Sequence, residues 1–187
     1  GGAVDIENSK TTITDSTFEN NNAENWGGAI AATGASDLSV TGSTFKENTA
    51  AAATVVTFST STAAISGSNF TNNSDTYNWG VVTVYSSGDV TIEGSNFVKE
   101  VPGYTVDVYV NGESDVTIKD STFNTTANYA IVATKGTLDL DGNTITSAYV
   151  PIYSTGTSEI VSNVKANISE GKTYNKHLEE IIVTAVL

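Results

Sequence analysis

Apolar residues recur along the chain in three columns that keep step with one another. Members of the first column are 26 residues apart over the first five positions, and the intervals then shorten to 24 and 20. The first column is Val4, Ile30, Val56, Val82, Val108, Val132 and Ile152; the second is Ile13, Val40, Ile65, Ile92, Ile118, Leu140 and Ile160; the third is Phe18, Phe45, Phe70, Phe97, Phe123 and Ile145. Such internal repetition predicts a solenoid in which each repeat forms one turn.

The local pattern within each repeat is that of short β-strands. Around the second column, in residues 89–93 and 115–119, Val and Ile alternate with Thr and charged residues. Between the second and third columns each repeat has a Gly or an Asp, which indicates a backbone position near positive φ. These turn residues are Asp15, Gly42, Gly67, Gly94, Asp120 and Gly142. Because no segment has helical periodicity, the pattern predicts an all-β parallel β-helix of about seven rungs that narrows toward the C-terminus.

An asparagine follows the phenylalanine of the first three repeats at a fixed distance of three residues. Asn21, Asn48 and Asn73 are therefore expected to stack as a ladder whose side-chain amides bond from rung to rung. In the next repeat the same count falls on Glu100.

Two motifs, Phe-x-x-Asn and Gly-Gly-Ala-Ile/Val, carry a resemblance to a known family. They occur at residues 1–4, 18–21, 27–30, 45–48 and 70–73. The pair resembles the repeats of the chlamydial polymorphic outer membrane proteins and of the adhesin-like surface proteins of methanogenic archaea. The resemblance implies a right-handed β-helix and an extracellular, cell-surface, adhesin-like protein. After about residue 100 only the spacing of the repeat persists.

The repeat pattern divides the chain into two parts. Residues 1–157 are predicted to form the β-helix. Residues 158–187 depart from the pattern and are expected to form a last rung, a C-terminal cap or the start of an immunoglobulin-like module, since a solenoid end exposes strand edges that need a cover. The chain begins inside a repeat without an initiator Met, so we expect a monomeric fragment of a longer protein.

Charge and composition narrow the classes of partner. The chain has 21 acidic residues against 8 Lys, no Arg, and a net charge of −13. A surface this acidic repels phosphate, which argues against nucleic-acid partners. No run of 18 apolar residues is present, so no membrane span is expected. There is no Cys for thiolate chemistry. Sequons occur at Asn69, Asn72, Asn124 and Asn167, in a chain rich enough in Asn and Thr to produce them by chance.

A column of aromatic residues precedes the first strand of most repeats. Its members are Trp26, Trp79, Tyr104, Tyr129 and Tyr149. Aromatic rings along the side of a solenoid can form a platform for sugar rings, because each ring offers an apolar face with polar edges nearby. The alternative is that the rings pack over the turn and shield the core. We therefore treat these five residues as the candidate ligand-binding site.

The sequence offers few residues in arrangements typical of catalytic or metal-binding sites. The chain lacks the signatures of polygalacturonase-type hydrolases, and its lysines are scattered, so no catalytic residue and no cofactor are predicted. An enzyme acting on polysaccharide would need a carboxylate pair, for which Asp89 with Asp115 and Asp139 with Asp141 are the candidates. Asp89 and Asp115 are also the candidate calcium ligands, since they occupy equivalent positions on adjacent rungs; Asp is equally a common turn residue before a strand.

The favoured hypothesis is a non-catalytic segment of a cell-surface adhesin-like protein. It would act as a stalk, as a multivalent lateral binding face for glycan or protein partners on a host or neighbouring cell, or as both. The alternatives are a polysaccharide-active lyase or hydrolase and a purely structural spacer. The fold itself does not decide among them.

Overall fold

The computed structural model describes residues 1–58, 60–85, 88–103, 105–127, 129–147, 150–154 and 159–166. Within these ranges the chain forms strands and turns, with no helix. The first three turns of the chain comprise β1 (Val4–Glu7), β2 (Lys10–Thr14), β3 (Thr17–Glu19), β4 (Asn22–Trp26), β5 (Ile30–Thr33), β6 (Asp37–Thr41), β7 (Thr44–Lys46), β8 (Thr49–Ala52), β9 (Val56–Phe58), β10 (Thr62–Ser66), β11 (Asn69–Thr71) and β12 (Ser74–Asp75). The remaining strands are β13 (Val82–Tyr85), β14 (Val90–Glu93), β15 (Asn96–Lys99), β16 (Val108–Asn111), β17 (Asp115–Lys119), β18 (Thr122–Thr125), β19 (Tyr129–Ala133), β20 (Thr137–Thr146), β21 (Val150–Ser154) and β22 (Glu159–Ala166).

These strands coil into a parallel solenoid with three sheets. The first sheet has the order β1-β5-β9-β13-β16-β19-β21, so it takes one strand from each turn. The second sheet runs β2-β6-β10-β14-β17 on one side and β3-β7-β11-β15-β18 on the other, and β20 joins the two sides. Among the described residues, the third sheet, β4-β8-β12, takes its strands from the first three turns. The predicted parallel β-helix is therefore confirmed; five turns keep separate strands, slightly fewer than the seven similar rungs expected.

The core is built from the predicted columns, which stack at the spacing of neighbouring strands. Phe18, Phe45, Phe70, Phe97 and Phe123 are buried one above the other. Successive ring centroids are 4.9, 4.8, 4.5 and 4.7 Å apart, with interplanar angles between 3° and 7°. Parallel pairing imposes this distance on every side chain in a column, because adjacent strands lie about 4.8 Å apart. Equivalent Phe residues therefore stack face to face from Phe18 to Phe123, and Ile145 follows them in the column.

The prediction for Val132 in the first column is wrong by one residue. Val108 pairs with Ile131, and Ile131 pairs with Ile152, so Ile131 enters the core and Val132 points to the outer face. The turns therefore shorten from 26 residues to 23 and 21 rather than to 24 and 20.

The prediction for Ile160 in the second column is also wrong. Leu140 pairs with Ser162, and Ile160 pairs instead with Leu138, two residues earlier. β22 pairs with β20 in parallel and has a register shift after Asp141. This strand adds to the second sheet beyond the predicted domain boundary. Residues 167–187, on which the predicted cap or immunoglobulin-like module falls, lie outside the described residues.

The turn between the second and third columns has the predicted backbone conformation in every repeat. The φ angles lie between 47° and 65° for Asp15, Gly42, Gly67, Gly94, Asp120 and Gly142. The next residue is a serine in the first five repeats, and its backbone amide donates to the side-chain oxygen of the equivalent residue one turn on, at 2.9 to 3.2 Å. The side chain of one turn thus provides the hydrogen-bond acceptor for a backbone amide of the neighbouring turn.

The predicted asparagine ladder is confirmed. The side-chain amide of Asn21 donates to Asn48 Oδ1 at 2.8 Å, and that of Asn48 donates to Asn73 Oδ1 at 3.0 Å. Asn48 Nδ2 also donates to the carbonyl of Phe18, and Asn73 Nδ2 donates to that of Phe45, both at 3.0 Å. The ladder therefore closes the corner of the coil beside the phenylalanine stack.

Candidate ligand-binding surface

Three aromatic side chains from two turns meet on the outer face of the first sheet. Trp26 ends β4, Trp79 lies between β12 and β13, and Tyr85 ends β13. The ring centroids of Trp26 and Trp79 are 5.1 Å apart with an interplanar angle of 79°. Trp79 and Tyr85 stack at 5.1 Å and 12°, and Trp26 and Tyr85 are 6.1 Å apart. These edge-to-face and stacked arrangements are the geometries that aromatic pairs prefer. We call these three residues the aromatic cluster.

The backbone before β5 turns back on the strand that it enters, which places Trp26 over the sheet. Gly27 has a φ of 61°, and a Cβ at this residue would lie 2.5 Å from the carbonyl oxygen of Ile30 and 2.8 Å from Ala31 Cβ. Only glycine fits this approach. Ala31 points outward from β5, yet it is only 4% exposed. The segment therefore covers the outer face of the strand.

Trp79 is held over β13 by its own backbone. Its carbonyl accepts a hydrogen bond from Thr83 Oγ1 at 2.8 Å, and its amide donates to Asp75 Oδ2 at 2.6 Å. Thr83 also points outward and is fully buried. The aromatic cluster thus combines the two predicted roles, packing over the turn and an exposed platform. Its chain segments cover the outer face of the sheet, while part of each ring stays exposed. Trp26 is 44% exposed, and Trp79 and Tyr85 are half-buried.

A cavity of about 620 Å³ opens beside the aromatic cluster. Trp26 and Tyr85 line one part of it, and Asp5, Asn22, Glu24 and Asn25 supply polar groups around it. A sugar has an apolar ring face with hydroxyls at its edge. The exposed aromatic rings can contact that face, and the neighbouring amide and carboxylate groups can bond to the hydroxyls.

The structure does not bring all five candidate residues together. Trp26 and Trp79 meet in the aromatic cluster, whereas Tyr129 lies two strands further along the first sheet and contacts Tyr153 with a centroid distance of 5.0 Å. Tyr104 and Tyr149 lie outside the described residues. Tyr85 was not among the candidates, although its outward position on a predicted strand was visible in the sequence.

A second site, which was not predicted from the sequence, is a buried cluster of Asp75, Lys99 and Asp107. Asp107 is 2% exposed and Lys99 is 5% exposed. Lys99 Nζ donates to the carbonyl of Asn73 at 3.0 Å and is attracted by both carboxyl groups. Burial raises the pKa of Asp107 to about 7, and the neighbouring Lys99 and Thr125 act in the opposite direction. Burial also raises the pKa of Asp75 and lowers that of Lys99.

The position of this buried cluster follows from two breaks in the repeat. Asp107 occupies the corner position that apolar residues hold in neighbouring turns. Those residues are Ala29, Val55, Val81 and Ala130. Lys99 lies two residues after buried Phe97, so strand alternation points it inward, and its ammonium bonds to the carbonyl of Asn73 below it. Glu100, on which the count of three residues falls, is exposed. An Asp in an apolar column was the signal that could have revealed the site.

The comparisons with known proteins identify the fold. The profile of the right handed beta helix region matches residues 1–107. The chain belongs to this family. No curated protein and no solved structure matches it. Right-handed β-helices include both enzymes and non-enzymes, so membership does not by itself assign an activity.

The carboxylate pairs proposed from the sequence lie on the outside of this β-helix. Asp89 and Asp115 are exposed and precede or begin the adjacent strands β14 and β17. Asp139 and Asp141 lie on one face of β20, two residues apart; Asp139 is partly exposed and Asp141 is exposed. Within the described ranges, no group of three or more Asp, Glu, His or Cys side chains could hold a metal ion. The calcium candidate therefore has at most two carboxylate ligands among these residues and stays a prediction.

Proposed function

We propose that this β-helix is a non-catalytic segment of an adhesin-like protein of the cell surface, and that the aromatic cluster is its contact for glycans. The observation that carries the proposal is the exposure of Trp26 at the edge of a polar cavity, beside the rings of Trp79 and Tyr85. The motifs shared with chlamydial and methanogen surface proteins support the same function and an extracellular location.

The partner is a glycan, or a glycosylated protein, of a host or neighbouring cell. A sugar ring would lie against the exposed face of Trp26, and its hydroxyls would bond to Asn22, Asn25 or Glu24 around the cavity. The net charge of −13 favours neutral or basic partners over nucleic acid and acidic polysaccharide. In this proposal the rest of the coil serves as a monomeric stalk, and no cofactor takes part.

A glycan array followed by calorimetry on the best glycan tests this function. We expect the Trp26→Ala variant to lose roughly five-fold or more in affinity, because a ring contact contributes on the order of 1 kcal/mol or more. Tyr77→Ala is the matched control, since Tyr77 is 65% exposed and lies outside the aromatic cluster. Absence of any glycan signal for the parent chain would leave the spacer hypothesis, and equal losses for both variants would contradict the proposed contact.

The enzyme hypothesis is tested separately. Incubation with pectins and other polysaccharides, with and without calcium, should yield no new reducing ends and no unsaturated products. If products form, Asp89→Asn, Asp139→Asn and Asp107→Asn distinguish the exposed carboxylate pairs from the buried cluster as their source.

A further inference from the structure

The cavity beside the aromatic cluster has two aromatic walls. Trp26 and Tyr85 both line it, with ring centroids 6.1 Å apart and an interplanar angle of 67°. Trp79 stacks on Tyr85 at 5.1 Å and 12°, which holds that ring in place. The face of an aromatic ring carries partial negative charge and attracts a cation that lies within about 6 Å of the ring centroid. Two rings inclined in this way offer one cation contacts from two sides.

Carboxylates supply the charge in the rest of the cavity. Asp5 and Glu24 line it and are exposed, and no Lys is found among the described residues that line it. The amino group of Gly1 lies 3.5 Å from Asp5 Oδ2 and offsets part of the charge of that carboxylate. The side chain of Glu24 has neither an ion pair nor a hydrogen bond to any described residue. Glu24 is therefore the carboxylate that is available to a ligand.

These two features favour a positively charged ligand group over a neutral one. A hydroxyl gains only an ordinary hydrogen bond from Glu24, whereas an ammonium gains a charge-assisted bond and the attraction of both rings. The net charge of −13 adds a long-range attraction for cations. The cavity volume of about 620 Å³ lies within the usual range for small-ligand sites, so one molecule can reach the rings and the carboxylate together.

We propose that the cavity takes a sugar with a free ammonium group, a hexosamine without its acetyl group, and that Glu24 holds this ammonium against Trp26 and Tyr85. The identity of the ligand as a sugar rests on the proposed function. The affinity of the site for a cation does not.

The amides beside the rings favour an amino sugar over the lysine side chain of a basic peptide. Asn25 lines the cavity, and its side chain has no hydrogen-bond partner among the described residues. Asn22 also lines it and accepts the hydroxyl of Thr49 through Oδ1 at 2.9 Å, while its Nδ2 has no partner within the described part of the chain. A sugar brings hydroxyls for these amides and an apolar face for Trp26. A lysine side chain brings only an ammonium and its methylene stem.

Two oligosaccharides that differ in the charged group test this proposal. Oligomers of glucosamine and of N-acetylglucosamine share a backbone, but the first carries ammonium groups and the second neutral acetamides. Calorimetry at about pH 6, where amines are protonated, should give the glucosamine oligomer an affinity roughly ten-fold higher, because it adds an ion pair and the attraction of the rings. Raising the salt concentration to about 0.5 M should narrow this preference, because salt screens an exposed charge.

Glu24→Gln tests where the ammonium binds. The variant keeps the size of the side chain, and we expect it to reduce the preference for the glucosamine oligomer by roughly three-fold or more. Glu93→Gln is the matched control, since Glu93 is exposed on β14, does not line the cavity, and changes the net charge by the same amount. It should leave the preference unchanged.

Tetramethylammonium provides a readout without a sugar. The only two Trp residues of the chain, Trp26 and Trp79, belong to the aromatic cluster. A cation that enters the cavity should therefore change their fluorescence emission in a saturable way, whereas sodium chloride at the same concentration should not. The response should weaken in Glu24→Gln and persist in Glu93→Gln.

The outcomes separate this proposal from the proposed function. Equal affinity for the two oligomers, a preference for the acetylated one, or a preference that Glu24→Gln leaves unchanged would overturn the proposal and leave the glycan contact intact. A response to tetramethylammonium that depends on Glu24, without binding of any glycan, would support the cation site and remove the proposed function. A lysine oligomer that binds more tightly than the glucosamine oligomer would overturn the assignment of a sugar.

Discussion

The corner beside the phenylalanine stack is built in two ways along the same coil. In the first three turns Asn21, Asn48 and Asn73 form a neutral ladder in which each amide bonds to the next. In the following turns the repeat breaks, and Lys99 and Asp107 bring ionisable side chains into the core. The ladder repeats the same polar contact from turn to turn, whereas the charged corner depends on one particular set of neighbours.

The difference separates polar contacts that every turn repeats from polar contacts that are made only once. In the ladder each side-chain amide bonds to its own copy one turn away, and the buried amides of Asn48 and Asn73 also donate to the carbonyls of the phenylalanine column, so the same contacts recur from turn to turn. The buried cluster of Asp75, Lys99 and Asp107 needs side chains from three separate segments of the chain. Its two carboxyl groups are both attracted by the single ammonium of Lys99. The regular columns should therefore dominate stability, and the irregular corner should dominate the response to pH.

The largest effect should come from a break in the regular part. Phe70 is 2% exposed and stacks between Phe45 and Phe97. We expect Phe70→Ala to lower the free energy of unfolding by about 3 to 5 kcal/mol, because it leaves a cavity in the middle of the stack. Urea denaturation followed by circular dichroism measures this loss.

Phe18→Ala is the matched control for the stack. Phe18 contacts only Phe45 among the described rings and is more exposed than Phe70. A loss equal to or larger than that of Phe70→Ala would contradict the view that stacking from both sides stabilises the core.

The next largest effect should be the contribution of Asp107 to the pH dependence of the free energy of unfolding. The pKa of Asp107 is raised from 3.8 to about 7 in the folded protein. Between these values the folded state keeps a proton that the unfolded state has lost, so the contribution of Asp107 is fully present below about pH 4 and is lost as pH rises to about 7. A difference of about three pKa units corresponds to roughly 4 kcal/mol at most.

Urea denaturation of the parent chain and of Asp107→Asn at pH 4, 5.5 and 7 tests this sign. The variant should gain stability relative to the parent at each step from pH 4 to pH 7. A constant difference across the range would show that Asp107 titrates normally in the folded protein.

The smallest effect should be found at the repeated turn. A Cβ at Gly67 would meet nothing within 4 Å, but φ is 54°. We expect Gly67→Ala to cost about 1 kcal/mol, because alanine disfavours the left-handed conformation. Gly67→Asp should cost less, since Asp15 and Asp120 adopt the same conformation in equivalent turns. Thermal unfolding of the two variants side by side measures the difference, and a lower melting temperature for the Asp variant would contradict it.

The accuracy of the sequence-based predictions followed the regularity of the repeat. The phenylalanine column, the asparagine ladder and the turn residues were predicted correctly because parallel stacking places equivalent residues at the same position in every turn. The errors at Val132 and Ile160 occurred where the turns shorten. At Val132 a change of one residue in the turn reverses the side of the strand on which the side chain lies, and apolar residues on both sides hide that reversal. At Ile160 the pairing is displaced by two residues.

The candidate site was predicted in part, for a different reason. Spacing along the chain placed Trp26 and Trp79 on the same side of the coil, 53 positions apart, but it could not show that their rings meet or that Tyr85 joins them. The buried cluster was missed altogether, since Asp75, Lys99 and Asp107 come from different columns. Contacts between columns depend on how each turn bends, which the repeat does not encode.

The sequence by itself determined a parallel β-helix, its core columns and its turns, because one short pattern written many times satisfies the same hydrophobic and hydrogen-bonding requirements in every turn. Only the tertiary structure decided which aromatic residues form a shared surface and which charged residues share a buried corner. These outcomes depend on single side chains brought together from separate turns. They depend on distances of a few ångströms and on exclusion of water, and neither quantity is visible in the order of residues.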